Sequence, residues 1–183
     1  QKRFKVAVRP GLPRFCGGLA GYFAYDTVRY IEPRLARCDK PDPVGVPDIL
    51  LLLTEELAIV DNLSGKIYLM VYADPAEPEA YQKANRRLRD LKMMLRKPVD
   101  VPESGGSYDT PTERDFPRDD YLAAVRKAKE YIAAGDMMQV QIGQVLRKPF
   151  RDSPLTLYRA LRTINPSPYM YLYNFGDFHV VGA

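Results

Sequence analysis

The segment Asn165–Met170, which reads NPSPYM, constrains the fold of this 183-residue chain more than any other part of it. A proline fixes φ at about −65° and disfavours a helical conformation at the residue before it. Pro166 and Pro168 therefore make the segment rigid and non-helical, and they present Tyr169 and Met170 from a stiff backbone. Such a turn, placed directly before strands, suits a small-ligand pocket.

Two strands are predicted after this turn. Aromatic residues alternate with other residues over 171–175, which is the period of a strand, and Gly176-Asp177 supplies a turn before an apolar run over 178–181. His179, the single histidine of the chain, falls in that second run. Because no cysteine or serine in a nucleophile context accompanies His179, we interpret it as structural.

The charged residues are mixed along the chain. The formal net charge of +4 arises from 27 basic and 23 acidic residues. The densest basic cluster, over 86–97, lies on an amphipathic segment whose leucines (Leu88, Leu91 and Leu95) share one face and leave the charges in solvent. No aromatic stacking platform accompanies these charges, so a nucleic-acid partner is not predicted, although a basic α+β domain contacting nucleic acid stays open as an alternative.

The two cysteines, Cys16 and Cys38, belong to no CxxC pair or histidine cluster. A disulfide framework or a zinc site is therefore not predicted, and a reducing cytoplasm is the expected location. The longest apolar run, Ile49–Leu53, has the length of a strand, and the sequence shows no signal-like or membrane-spanning segment. No membrane partner is predicted.

The first half of the chain reads mainly as strands. Period-two runs at 49–53, 57–61 and 66–72, with a turn at 62–65, predict an antiparallel meander. Glycines in the segment before them, 17–25, would let the backbone approach a neighbouring strand or a ligand closely.

Helical periodicity and terminal residues predict three longer helices, over 76–96, 118–132 and 154–163, with Gly135 as the C-cap of the second. Asp26 is the predicted cap of a short helix over 27–31, and Asp26 and Arg29 are spaced for a surface ion pair. The proline-rich stretch 97–117 is the predicted linker, and 140–145 is a short β-rich run. Separate runs of strands and helices favour an α+β fold over a doubly wound sheet.

Three motifs carry a resemblance to a known family. The segments 17–32 (GGLAGYFAYDTVRYIE) and 131–140 (YIAAGDMMQV) precede NPSPYM in the order typical of the chorismate-utilising enzymes. Within that family the chain resembles the large subunit, component I, of anthranilate synthases, from about Phe15 to Ala183. The resemblance implies a two-layer α/β sandwich of two intertwined subdomains with a largely antiparallel sheet. It further implies an amino-terminal region over 1–117 and the start of a chorismate-binding region over 118–183.

The resemblance also implies roles for four residues. Pro168, Tyr169 and Met170 match the positions that line the pocket for the feedback inhibitor L-tryptophan, and aminodeoxychorismate-forming relatives usually lack this Tyr-Met pair. Gln139 matches the position where isochorismate-forming relatives carry a lysine base. A glutamine amide accepts no proton at neutral pH, so it does not activate water there, which suits ammonia as the nucleophile.

The implied activity is the conversion of chorismate and ammonia to anthranilate and pyruvate, in the manner of a carbon–oxygen lyase. Ammonia would come from glutamine through an amidotransferase subunit, and Mg²⁺ would be held by residues beyond Ala183, with no metal site in this chain. The resemblance implies that the chain is an amino-terminal portion of the enzyme, inactive alone. An aminodeoxychorismate synthase component and a non-catalytic amino-acid-binding module are the alternatives.

Overall fold

A computed structural model describes residues 5–7, 9–37, 41–101, 105 and 109–183 of the chain. The chain forms two compact units, Gln1–Val99 and Asp100–Ala183. Both contain helices together with antiparallel two-stranded ladders, so the predicted α+β class is confirmed. The border between the units falls inside the predicted linker, whereas the functional division at residue 117 stays a prediction.

The first unit contains four strands, one α-helix and two short 3₁₀ helices. The α-helix begins four residues later than predicted, after Pro75 and Pro78. The strands are β1 (Gly18–Phe23), β2 (Ile49–Thr54), β3 (Glu56–Asp61) and β4 (Lys66–Val71); the 3₁₀ helices are Tyr25–Tyr30 and Pro33–Leu35, and α1 is Ala80–Met94.

Strand β2 pairs with β1, in a register that runs from Gly18 opposite Thr54 to Phe23 opposite Ile49. The predicted meander is therefore wrong for its first strand, because β2 finds its partner upstream instead of in β3. The role predicted for the glycines is confirmed at Gly21, where an added Cβ would overlap the backbone carbonyl of Leu50. A side chain at this position would separate the two strands.

Strands β3 and β4 form the predicted hairpin, with Val60 opposite Ile67. The Oδ1 atom of Asp61 accepts hydrogen bonds from the N–H groups of Leu63 (3.0 Å) and Ser64 (3.1 Å). Gly65 completes the turn with φ of 65°. A carboxylate that bonds the backbone two and three residues ahead is the Asx-turn geometry that Asp favours, so local chemistry sets this turn.

The prediction that Asp26 caps a short helix is wrong. The helix is a 3₁₀ helix whose N-cap is Ala24, and no side chain bonds to its first turn as a cap. Asp26 lies inside this turn and instead pairs with Arg29, with Oδ1 and Nη2 2.8 Å apart. The predicted surface pair is thus confirmed.

The second unit contains four short strands and two α-helices. The C-cap of helix α2 is Ala134, one residue before the predicted Gly135, which follows in the left-handed region with φ of 82° and donates its N–H to the Ile132 carbonyl at 3.1 Å. The elements are β5 (Glu113–Arg114), α2 (Arg118–Ala133), β6 (Leu146–Arg147), α3 (Pro154–Ile164), β7 (Tyr171–Asn174) and β8 (His179–Gly182).

The β-rich run predicted over 140–145 is not a strand. Only the two residues after it, in β6, pair with β5, where Glu113 lies opposite Arg147. Backbone groups form a strand only where a neighbour offers hydrogen bonds along its length, and among the described residues the contact reaches only the end of 140–145, where the Asp115 N–H donates to the Val145 carbonyl at 3.2 Å. Strand β5 lies in the stretch predicted as a linker, and Asp115 beside it forms a two-pronged ion pair with Arg147. The end of the predicted linker is therefore ordered.

Apolar side chains of the described residues are only partly covered. None is fully buried, and Phe23, Leu63 and Tyr169 are 64%, 100% and 82% exposed. In the second unit, α3 packs on the hairpin of β7 and β8. The elements of each unit therefore have amphipathic faces that they do not themselves cover completely.

Candidate functional site

The NPSPYM turn begins where α3 ends. Ser153 caps the start of this helix, with its Oγ accepting from the N–H of Thr156 at 3.2 Å, and Pro154 occupies the first turn. The helix ends at Ile164, and Asn165 leaves the helical region with φ of −137° while its N–H donates to the Leu161 carbonyl at 2.8 Å. Pro166 then prevents the helix from continuing, as predicted.

The tip of the turn is held by a side-chain hydrogen bond. Ser167 Oγ accepts from the N–H of Tyr169 at 3.1 Å, so the serine between the two prolines restrains the backbone that carries the tyrosine. Pro168 and Tyr169 are exposed, Tyr169 by 82%, whereas Met170 is half-buried and leads into β7. The geometry thus presents an aromatic ring outward and a flexible thioether inward from a restrained turn.

An aromatic row follows along β7 and through the turn that leads to β8. Ring centroids of Tyr171 and Tyr173 lie 5.3 Å apart, those of Tyr173 and Phe175 5.7 Å, and those of Phe175 and Phe178 5.2 Å. Gly182 lies opposite Tyr171, where an added Cβ would overlap the phenol ring. The alternation over 171–175 was visible in the sequence, but the inclusion of Phe178 and the role of Gly182 require the strand register.

Gln139 lies in an irregular segment between α2 and β6. Its side chain is exposed, and no hydrogen bond joins it to the NPSPYM turn in the described part of the chain. Its neighbour Ile142 is tied to α2, because the Tyr121 hydroxyl donates to the Ile142 carbonyl at 3.3 Å. Among the described residues no hydrogen bond links Gln139 to Pro168, Tyr169 or Met170, and the roles of all four stay predictions.

Two cavities of about 340 Å³ each lie between β4 and α1 in the first unit. One has a charged wall where Arg87 binds Glu56, and this hydrogen bond is the main reason that the pKa of the Glu56 carboxyl is lowered. The other is mostly apolar, with Val71, Tyr81 and Leu88 in its wall. Neither is lined by a residue for which the sequence predicts a site role, since only the packing of α1 on the hairpin creates them.

The described residues give no fit for a bound metal ion. Within the ranges that the structure covers, no three His, Cys, Asp or Glu side chains lie close enough together to hold one. Cys16 is a free thiol, and Cys38 lies outside the described residues. Among the described helices, none combines the length and apolar character needed to cross a bilayer.

Comparison with known proteins gives close relatives. The chain is 53% identical over 184 residues to "Anthranilate synthase component 1" of Neisseria meningitidis serogroup B, and 50% identical over 187 residues to the protein of the same name from Pseudomonas aeruginosa. Each alignment covers 99% of this chain and 38% of the relative. The chain therefore spans less than half the length of these relatives.

A solved structure shows the same fold. The crystal structure of anthranilate synthase component I from Streptococcus pneumoniae TIGR4 matches 98% of this chain and 40% of its own, with a TM-score of 0.80 at 27% identity. The family model described as chorismate binding enzyme matches residues 2–183. With nearly its whole length matched, the chain belongs to the family of chorismate binding enzymes.

Proposed function

We propose that this chain is part of an anthranilate synthase component I, which converts chorismate and ammonia to anthranilate and pyruvate as a lyase. The observation that carries the proposal is the 53% identity to a relative of that name across 99% of the chain. The Tyr169-Met170 pair also supports the anthranilate branch, since aminodeoxychorismate-forming enzymes, by the family resemblance, usually lack it.

Gln139 supports ammonia, and not water, as the nucleophile. An amide side chain has no proton-accepting nitrogen, so at neutral pH it generates no hydroxide from a bound water. Its amide oxygen accepts a hydrogen bond and its amide nitrogen donates two, which suits orientation of a neutral nucleophile or of substrate oxygens. The proposed role is therefore positioning within the chorismate site.

The turn formed by Pro168, Tyr169 and Met170 is the proposed contact for the feedback inhibitor L-tryptophan. Tyr169 supplies an aromatic wall and Met170 a polarizable, adaptable side chain, both suited to an indole ring. The hydrogen bond from the Tyr169 N–H to Ser167 restrains the turn before any ligand arrives. A restrained turn loses little conformational entropy on binding, which favours affinity.

The proposed cofactor is Mg²⁺, held by residues outside this chain, because the described residues offer no convergent carboxylates. Bound Mg²⁺ would neutralise carboxylate charge on chorismate. The proposed ammonia source is a glutamine amidotransferase subunit that assembles with component I in the cytoplasm.

The test is product analysis on the full-length protein with chorismate, an ammonium salt and Mg²⁺. Anthranilate fluorescence together with stoichiometric pyruvate is the expected result. Aminodeoxychorismate without pyruvate would assign the protein to the sister branch, and isochorismate would contradict the role proposed for Gln139. The 183-residue chain alone is expected to be inactive, so anthranilate formation by the chain alone would contradict the view that essential groups lie elsewhere.

A further inference from the structure

The segment that carries Gln139 is irregular, and contacts at its two ends hold it in place. At its start, the Asp136 N–H donates to the Tyr131 carbonyl at 3.0 Å, so the chain leaves α2 in a fixed direction. Gln139 follows three residues later, outside any helix or strand. Its position therefore depends on what fixes the backbone before and after it, since no regular element does so.

The far end of the segment is tied to α2 and to the residues before α2. The Tyr121 hydroxyl of α2 donates to the Ile142 carbonyl at 3.3 Å. Tyr121 is itself restrained, because the Phe116 ring lies edge-on to it with ring centroids 5.6 Å apart. The Asp115 N–H then donates to the Val145 carbonyl at 3.2 Å. Two backbone carbonyls that follow Gln139 are thus held from the other side of α2.

The strongest contact at this end is the ion pair of Asp115 with Arg147, which we call the clasp. Both terminal guanidinium nitrogens donate to the carboxylate, Nη1 to Oδ1 and Nη2 to Oδ2, the second at 2.8 Å. Two parallel bonds between charged groups fix their relative orientation as well as their distance. The clasp also closes a loop, because its members are 32 residues apart in sequence and α2 and Gln139 lie between them.

The clasp contributes more to geometry than to overall stability. Its side chains are 40% and 38% exposed, and ion pairs at such positions add little to the free energy of folding. The ladder of β5 and β6 beside it joins two residues from each strand, which is a marginal structure by itself. What these contacts do set is the path of the chain from β6 back to the start of α2, and with it the end of the Gln139 segment.

We propose that Asp115 and Arg147 are positioning residues for Gln139 at the site of the ammonia nucleophile. The proposal rests on the proposed function, because Gln139 takes its role from there. A group on a segment that samples several positions binds its ligand with an affinity reduced by the fraction of the competent one. Loss of the clasp should therefore weaken the binding of ammonia, whereas saturating ammonium restores turnover.

The experiment uses the full-length protein with Arg147→Gln, which removes the charge and keeps a long polar side chain. The matched control is Arg87→Gln, because Arg87 binds Glu56 through two parallel hydrogen bonds in the other unit. The side chains of the control pair are 43% and 38% exposed, close to the values for the clasp. Steady-state kinetics with ammonium salt as the varied substrate gives the primary readout.

Arg147→Gln is expected to raise the KM for ammonium about tenfold, with kcat and the KM for chorismate within twofold of wild type. Arg87→Gln should leave all three constants within twofold of wild type. Asp115→Asn should reproduce the effect of Arg147→Gln, and the two changes together should add nothing further, because either one breaks the same pair. Asp115→Asn also provides the test if Arg147→Gln does not fold.

A double variant tests whether the clasp acts through Gln139. Gln139→Ala is expected to raise the KM for ammonium by itself, and Arg147→Gln should cause no further increase in that background. Hydrogen exchange checks the same idea without activity. Backbone amides over 137–142 should exchange about tenfold faster in Arg147→Gln and at the wild-type rate in Arg87→Gln.

Three outcomes would overturn the proposal. An unchanged KM for ammonium in Arg147→Gln would show that the rest of the enzyme holds the segment without the clasp. Equal changes in Arg147→Gln and Arg87→Gln would show that loss of an ion pair acts only through stability. A further increase of the KM in the Gln139→Ala background would show that Arg147 acts on another group. Absence of anthranilate formation by wild type would instead refute the proposed function, while hydrogen exchange would still test the clasp.

Discussion

Arg87 of α1 holds Glu56 of β3 through two parallel hydrogen bonds, Nε to Oε1 at 2.6 Å and Nη2 to Oε2 at 2.8 Å. The pair joins the helix to the strand that begins the hairpin. It lowers the pKa of the Glu56 carboxyl and raises the pKa of the Arg87 guanidinium, mainly through hydrogen bonding in both cases. Two parallel bonds also fix the angle between the groups, which a single contact would not.

Glu56→Gln is expected to remove an acid-sensitive contribution to stability. A carboxyl whose folded pKa lies below its ordinary value of 4.5 contributes stability above that value and loses it as pH falls through the folded pKa. The effect should be small, because the two side chains are 43% and 38% exposed. Urea unfolding of full-length wild type and variant from pH 7 to pH 3 measures it. A stability difference between wild type and variant that did not shrink below pH 4.5 would contradict the lowered pKa of the Glu56 carboxyl.

Gly21→Ala is expected to destabilise the β1–β2 pair by about 3 kcal/mol, because the added Cβ would overlap the Leu50 carbonyl and force the strands apart. Gly18→Ala is the matched control in the same strand. Gly18 has a similarly positive φ, 133° against 157°, but nothing lies within 4 Å of an added Cβ. Chemical unfolding of both variants separates the cost of the clash from the cost of the backbone conformation. Equal losses of stability in the two variants would contradict the predicted clash at Gly21.

Glu79→Gly is expected to stabilise the protein relative to Glu79→Ala by about 1 kcal/mol. Glu79 precedes α1 in the left-handed region, with φ of 57° and ψ of 22°, where a Cβ is unfavourable. Both substitutions remove the same carboxylate, so only the Cβ differs between them. Thermal unfolding compares the two variants. A more stable alanine variant would mean that the start of α1 adopts another conformation.

Tyr72→Phe is expected to cost about 1 kcal/mol, because the Tyr72 hydroxyl donates to the Cys16 carbonyl and fixes the segment that enters β1. The phenol ring also lies over Gly17, whose added Cβ would be 2.6 Å from Cε2. Tyr68→Phe serves as the control, since Tyr68 is half-buried and forms no hydrogen bond among the described residues. Hydrogen exchange of β1 should increase only in the Tyr72 variant. Equal exchange in both variants would contradict this role.

Met170→Thr in the full-length enzyme is expected to weaken inhibition by L-tryptophan about tenfold or more while changing turnover by less than twofold. The shorter, polar side chain loses contact with an indole but leaves the turn, which depends on Ser167 and the prolines, in place. Met94→Thr, at a 54% exposed methionine of α1, is the control. Equal losses of inhibition and turnover would place Met170 in the catalytic core.

Helices and the β3–β4 hairpin could be predicted because their determinants are close in sequence. Ser153, Pro154 and Asn165 bracket α3, Gly135 follows the C-cap of α2, and Asp61 organises its own turn through bonds to Leu63 and Ser64. Each of these signals acts within four residues. These helix ends and this turn can therefore be predicted without knowing which residues pack nearby.

The errors concern groups whose partner is not specified by the local pattern. Whether 140–145 forms a strand depends on a neighbouring backbone that the sequence does not reveal. Asp26 caps no helix because it lies inside a 3₁₀ helix, whose N-cap is Ala24, and its carboxylate pairs with Arg29. In the candidate site, the role of Gln139 likewise could not be decided from the local sequence pattern. Its side chain is exposed and, among the described residues, forms no hydrogen bond to the NPSPYM turn, so the resemblance carries its role and the described geometry does not.

Local signals indicated most of the helices and turns, including the turn bearing Tyr169 and Met170 that Pro166 and Pro168 stiffen, because covalent geometry and side-chain-to-backbone bonds act over a few residues. The pairing of β2 with β1 and the contact of Arg87 with Glu56 arise only in the folded chain. These contacts join residues distant in sequence. Strand periodicity specifies a face but not a partner, so pairing is chosen only when the backbones meet.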